Sequence, residues 1–184
     1  MRVVAGAARG RDLRAPAAGT RPTSDRVREA VFSVLASMRA VEGAVVIDLF
    51  AGSGALGIEA LSRGAVKATF VDHSRGAVDA IRSNLAVLGE LSVRGEVVLA
   101  DAVRYAAGAP PADVVFADPP YDWGGWGTLL SALGGRAAVL VAETGAPLET
   151  GPAWETVKVK RYGGTVVTVA QPVALPPDRE EGEI

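Results

Sequence analysis

The 184-residue chain has no cysteine and a single histidine, His73. With no thiol available, disulfides, thiolate metal sites and cysteine nucleophiles are excluded, and no metal centre is expected. Aromatic residues supply only 5% of the chain. No stretch approaches the roughly 20 apolar residues of a membrane span, and the N-terminus lacks the apolar core of roughly 7–15 residues that marks a secretory leader. The expectation is a cytoplasmic protein with no membrane partner. Apolar residues nevertheless make up 49% of the sequence. That fraction is enough for a sizeable core, and the length fits one globular unit of about 100–200 residues.

Net charge is only −2, but it is unevenly spread. Residues 1–39 hold eight arginines against Asp12, Asp25 and Glu29, a balance of +5, which leaves −7 for the remainder. A basic arm on an acidic body reads as a docking surface for phosphates. Arg9, Arg11, Arg14 and Arg21 are the candidate RNA contacts, with binding expected to weaken as salt rises.

The first sixteen residues suit a small hairpin. Apolar residues at Val27, Ala30, Val31, Val34, Leu35 and Met38 then follow helical spacing, with Ser24 or Asp25 as the cap. From Ala44 short β-branched runs alternate with helices. Strands are predicted at Val45 to Phe50, Thr69 to Asp72, Val97 to Leu99, Val114 to Ala117 and Ala138 to Ala142, with helices from about Leu56 and over Arg75 to Leu88. The last three are short apolar runs of the kind buried on both faces of a parallel sheet. Thr156 to Tyr162 and Thr165 to Ala170, joined by Gly163-Gly164, read as an antiparallel hairpin closing one sheet edge.

The first of these strands runs into Asp48-Leu-Phe50-Ala51-Gly52-Ser53-Gly54, a glycine turn at the carboxyl end of a strand, where open α/β sheets bind ligands. Gly52, Gly54 and Gly57 spell G-x-G-x-x-G, which alone would also suit a dinucleotide enzyme. Asp48 decides against that, because a carboxylate at the turn repels a pyrophosphate. A cationic ligand without phosphate, such as S-adenosylmethionine, fits better. Asp72 ends the second strand, where it can accept from both ribose hydroxyls. Asp101 follows the third and can accept from an adenine amino group.

The fourth strand ends in Asp118-Pro119-Pro120-Tyr121. An exocyclic amino group is a poor nucleophile because its lone pair is delocalised into the ring. Holding both N–H groups in acceptors, here the Asp118 side chain and the Pro119 carbonyl, turns that lone pair toward an electrophile. The two prolines fix φ and remove competing donors, so the turn is stiff. Tyr121 can stack on an extruded base. Trp123 and Trp126 follow, either as a lid hinged on Gly124-Gly125 or as packing at the start of the next helix. Glu29 reads as a local salt-bridge partner.

The order of these two motifs resembles the amino-methyltransferases with a Rossmann-like fold. Arg2-Val-Val-Ala-Gly-x-x-Arg-Gly-Arg11 and Arg21-Pro-Thr-x-Asp-Arg-Val-Arg-Glu29 narrow the resemblance to the bacterial family that methylates guanine N2 in small-subunit (16S) ribosomal RNA, over Met1 to about Val169. The resemblance implies an α/β class I methyltransferase with a mostly parallel seven-stranded sheet, a C-terminal antiparallel hairpin and a short basic N-terminal extension. It implies S-adenosylmethionine as methyl donor and direct in-line transfer to nitrogen. The cofactor set falls on Asp48, Phe50, Ala51, Gly52, Ser53, Gly54, Asp72, His73, Asp101 and Ala102, with Thr23 and with Arg26 as partner of the methionine carboxylate. His73 is counted there, although by itself it reads as a surface residue. Catalysis falls on Asp118, Pro119, Pro120 and Tyr121. The 16S ribosomal RNA, within a small-subunit particle, is the implied partner. The corresponding divisions are a basic hairpin and helix at 1–40 packing on the core, the methyltransferase domain at 41–175, and an acidic tail at 176–184 expected to be disordered.

Other readings remain. Protein glutamine-N5 and DNA adenine-N6 methyltransferases share Asn/Asp-Pro-Pro-Tyr chemistry, but the first residue here is Asp118 and the chain is short for a DNA enzyme. A nicotinamide dehydrogenase is opposed by Asp48. A non-catalytic RNA-binding module would leave Asp-Pro-Pro-Tyr without a purpose.

Overall fold

The computed structural model describes residues 1–16 and 24–173, so Arg21, Thr23 and the acidic tail lie outside the described residues. Five parallel strands, β1 (Val45–Leu49), β2 (Lys67–Asp72), β3 (Gly95–Leu99), β4 (Ala112–Ala117) and β5 (Ala137–Thr144), join two antiparallel ones, β6 (Trp154–Tyr162) and β7 (Thr165–Pro172). They form one seven-stranded sheet in the order β3-β2-β1-β4-β5-β7-β6.

Because side chains alternate across a strand, each buried strand feeds two cores. Val46, Phe70, Val114, Phe116, Val139 and Val141 pack on one face with helices α1 (Asp25–Ser37), α2 (Ala55–Ser62) and α3 (Arg75–Ala86). Ile47, Leu49, Val71, Val115, Ala117 and Leu140 pack on the other with α4 (Ala102–Gly108) and α5 (Trp126–Leu133). Helix α4 has no counterpart in the sequence reading, since its seven residues are too few to display a helical period. A 3-10 turn over Gly89–Arg94 leads into β3.

Two strands depart from the expectation. β3 lies at a sheet edge and is not buried on both faces: Leu99 is 48% exposed. β6 is the opposite edge, extends back to Trp154, and carries Lys158, Lys160 and Arg161 in exposed positions. Charge and a bulge between Thr156 and Lys158 are the usual protection of an edge against pairing with another chain.

The N-terminal arm is a hairpin only in outline, with one antiparallel bridge between Arg2 and Asp12. It belongs to the main core, for Val3, Ala8 and Leu13 pack in the same cluster as Phe32, Phe70 and Phe116. Buried Glu59 accepts from the backbone nitrogens of Val4 (2.8 Å) and Ala5 (3.0 Å). Arg28 is wholly buried beside it and donates to the Arg2 carbonyl and to Asp25. Glu29 is exposed and has no ion pair among the described residues; Asp25 and Glu59 take that part. The cap of α1 is Ser24, whose hydroxyl accepts from Val27 N.

Candidate active site

The strand register fixes where the acids stand. Asp48 is paired with Phe70 on one side and Phe116 on the other, and Phe116 in turn with Val141. Asp72, Asp118 and Glu143 each lie two residues beyond those partners, on the same face of the sheet as Asp48 and about two residues, roughly 6–7 Å, above it. The result is a row of three carboxylates at the carboxyl ends of β2, β4 and β5, with a fourth at the floor. All four line one cavity of about 650 Å³, a size typical of sites for small molecules, about 300–1,000 Å³.

At the floor Asp48 accepts from the Gly57 backbone nitrogen (2.9 Å). Burial pushes its carboxyl up to about 8; the Gly57 hydrogen bond opposes this, and the charges of Asp118 and Asp72 add to it. Above it the turn after β1 runs through backbone that side chains seldom adopt: φ is 57° at Phe50, 55° at Gly52 and 76° at Gly54. Gly57 is demanded by packing, since a Cβ there would sit 2.3 Å from the Phe70 ring. Asp72 locks the turn from the side. Its Oδ2 accepts from Gly52 N (2.9 Å) and its Oδ1 from Ser74 N (2.8 Å). A carboxylate has about four lone-pair sites, so capacity for two hydroxyl donors remains.

Phe50, Ala51, Gly52, Ser53, Asp72 and His73 all line the cavity, and the imidazole is 77% exposed at its rim. Gly54 does not line it but caps α2. Asp101 and Ala102 are also outside. Asp101 is exposed and accepts from Arg104 N as the cap of α4, and Ala102 is buried in the core on the opposite face of the sheet. The edge position of β3 explains this, because its end stands one strand beyond the cavity wall. Arg26 is exposed and outside as well, whereas Ser24 and Val27 face in. At about 100° per residue, positions 24, 27 and 28 share one helix face and 26 points away.

The other half of the cavity is built by Asp118, Pro119, Pro120, Tyr121, Glu143, Tyr162 and Thr165. Pro120 accepts from Trp123 N (2.9 Å), which tightens the turn, while no described group donates to the Pro119 carbonyl. Tyr121 is 49% exposed. Its hydroxyl is hydrogen-bonded to Thr165 Oγ1, and its ring packs beside Gly145. Trp123 stacks edge-on between Phe50 (4.9 Å) and Trp126 (5.5 Å), and Trp126 opens α5. Both indoles are half-buried and pack against the core beside the glycine turn.

Sequence reasoning missed three contributors. Glu143 ends the apolar run Val139 to Ala142 as the other acids end theirs, a usable signal. Thr165 had no local signal, because its role depends on the hairpin folding back over Tyr121. Asn84 is buried in α3 and accepts from Arg14 N (2.8 Å) while donating to the carbonyls of Arg14 (2.9 Å) and Ser53 (2.8 Å). It clasps the arm to the glycine turn. Arg9, Arg11 and Arg14 are exposed on that arm.

The cavity lining, among the described residues, holds four carboxylates and no lysine or arginine. Those four carboxylates would oppose a pyrophosphate. A ligand carrying positive charge and no phosphate fits, with the Asp48 carboxyl ionising beside it. Among the described residues no group of side chains could hold a metal, and no helix is long and apolar enough to cross a membrane.

Residues 1–171 match the sequence profile of the family described as "Conserved hypothetical protein 95". The chain is 43% identical over 126 residues to the "Putative rRNA methyltransferase YlbH" of Bacillus subtilis, covering 66% of this chain and 67% of that one. It is 43% identical over 123 residues to the "Ribosomal RNA small subunit methyltransferase D" of Escherichia coli K12, covering 66% and 60%. The matched stretch thus spans less than two thirds of that relative. Among solved structures, the "Putative methyltransferase yhhF from Escherichia coli" superposes with a TM-score of 0.83 at 34% identity, covering 95% of this chain and 99% of that one.

Proposed function

From the membership of this chain in the Conserved hypothetical protein 95 family, we propose that it is an S-adenosylmethionine-dependent ribosomal RNA methyltransferase whose target is the exocyclic N2 amino group of a guanine in 16S ribosomal RNA. The observation that carries the reading is the meeting, in one cavity, of a buried acid under a glycine turn with the Asp118-Pro119-Pro120-Tyr121 turn. The first suits a cationic donor and the second an amino acceptor. Relatives named as rRNA methyltransferases support the choice of RNA over protein or DNA.

S-adenosylmethionine supplies a methyl group activated on a sulfonium. Asp48 at the cavity floor supplies compensating charge, the turn Phe50 to Ser53 shapes the wall, and Asp72 accepts from the ribose hydroxyls. On the other side Asp118 and the Pro119 carbonyl hold the two N–H groups of the target amine and set its lone pair toward the methyl. Asp118 also stands where the proton displaced from nitrogen can be received. Tyr121, fixed by Thr165, offers a face for the extruded base. Stiff acceptors on a proline turn require no rearrangement as charge develops. The exposed Arg9, Arg11 and Arg14 hold RNA phosphates beside the cavity, a small-subunit particle being the natural context.

The test is transfer of labelled methyl from S-adenosylmethionine to unmethylated small-subunit particles and to matched naked RNA, with nucleoside analysis. N2-methylguanine that disappears with Asp118→Ala is expected. Label entering only protein or DNA would overturn the substrate.

A further inference from the structure

The cavity is bordered by the N-terminal arm through Met1, Ala15 and Pro16, and by the β6–β7 hairpin through Tyr162 and Thr165. The hairpin is basic, as the arm is. From Thr156 to Pro177 the chain holds no acid, although the balance beyond residue 39 is −7. Lys158, Lys160 and Arg161 are exposed and have no ion pair among the described residues. The bulge in β6 decides which way they point. Thr156 pairs with Ala170 but Lys158 with Val169, so Val157 is the extra residue and the strand changes phase there. Cross-strand partners share a face, so Lys158, Lys160 and Tyr162 follow Val169, Val167 and Thr165. Val167 and Val169 pack in the cluster that holds Val3, Ala8 and Leu13 of the arm. Without the extra residue the lysines would face the other side of the sheet.

The two lysines therefore stand on the arm's side of the sheet, in steps of about 6–7 Å along β6 that lead to Tyr162. Lys160 Nζ lies 5.3 Å from the centroid of the Tyr162 ring, a cation–π contact that holds the ammonium at the cavity end of the strand. Arg161 is on the opposite face, where its guanidinium reaches the Gly145 carbonyl (3.5 Å) beside the Tyr121 ring. Protection of an edge needs charge but is indifferent to its sign. A single sign beside a cavity asks for an anion, and cations running up to aromatic rings are a means of tracking the backbone of unpaired nucleic acid. We propose that Lys158, Lys160 and Arg161 form a second RNA-docking surface. It holds phosphates of the strand on the target side of the modified base, while the arm holds those on the other side. This rests on the ribosomal RNA reading above and adds to it the path of the strand across the cavity.

The test measures binding of unmethylated small-subunit particles and of naked 16S ribosomal RNA over a salt series. Lys158→Gln/Lys160→Gln/Arg161→Gln is expected to reduce the slope of log affinity against log salt by about 2, at about 0.7 per phosphate contact on a single strand. The accompanying loss of activity should fall on KM for the particle, which rises about tenfold. Lys158→Glu/Lys160→Glu is the sharper variant, because it keeps charge on the edge. A purely protective role survives it, whereas RNA affinity should fall further than in the glutamine variant. All three side chains are exposed, so thermal stability and S-adenosylmethionine affinity should stay near wild type. Unchanged RNA affinity and salt slope in both variants would overturn the docking surface and leave the guanine-N2 reading standing. Weakened RNA binding in the variants, with no N2-methylguanine made by the wild-type protein, would keep the surface and overturn that reading.

Discussion

The two halves of the cavity are made by different means. In the donor half the acids are fastened by the main chain: Asp48 takes Gly57 N, and Asp72 takes Gly52 N and Ser74 N. In the target half Tyr121 is tied to another side chain, Thr165, and stands half in solvent. A small ligand of constant shape suits a socket set by backbone. A base arriving on a large RNA needs a rim that side chains can shape and that remains open to entry.

The sharpest way to separate the halves is Asp118→Ala. Loss of transfer by about 100-fold or more is expected, the scale of a lost positioned acid–base or electrostatic group, with donor affinity near wild type by calorimetry. Parallel loss of donor binding would erase the distinction between the halves.

The converse is Asp48→Asn, which should weaken donor binding about tenfold or more with the RNA contacts intact. It should also change the pH response. Asp48 has its folded pKa raised from 3.8 to about 8, so between those values the folded protein holds a proton that the unfolded chain has lost. The stabilisation is therefore complete below the unfolded value and falls as pH rises toward 8. Binding a cation releases that proton, so donor affinity climbs over the same window. Thermal midpoints against pH and calorimetry in two buffers should show both slopes in the wild type and neither in Asp48→Asn.

A smaller effect is expected at Thr165. Thr165→Val should lower kcat about 5- to 20-fold with donor affinity unchanged, and Thr165→Ser should restore it, since only the hydroxyl is needed to hold Tyr121. Equal defects in Val and Ser variants would point to packing instead. Smallest in activity is Asn84→Ala, which strands two backbone carbonyls and one N–H. It should lower stability by about 1–3 kcal/mol and speed proteolysis of the arm.

Much of this was legible in the sequence wherever a local rule sufficed. The βαβ alternation, the glycine turn, the acids ending β1 and β2, and the strand exit at Asp118 follow from periodicity and turn chemistry. Asp101 and Arg26 stand outside the cavity lining, and the cause is order in space. Asp101 ends a strand as Asp72 does, yet β3 is the outermost strand and its acid caps a helix. Arg26 carries the expected charge, but helical phase turns it outward while Arg28 goes into the core. Buried Arg28 and Glu59 look like ordinary surface charges in one dimension. Their value lies in satisfying the backbone of the arm.

The level row of carboxylates also sets how this chain can vary in length. A single residue inserted within β2, β4 or β5 would turn its terminal acid to the opposite face, whereas the loops entering those strands at the far edge of the sheet can lengthen freely without altering the row. Drift in chain length is thereby confined to one end of the molecule, and the chemistry is kept at the other.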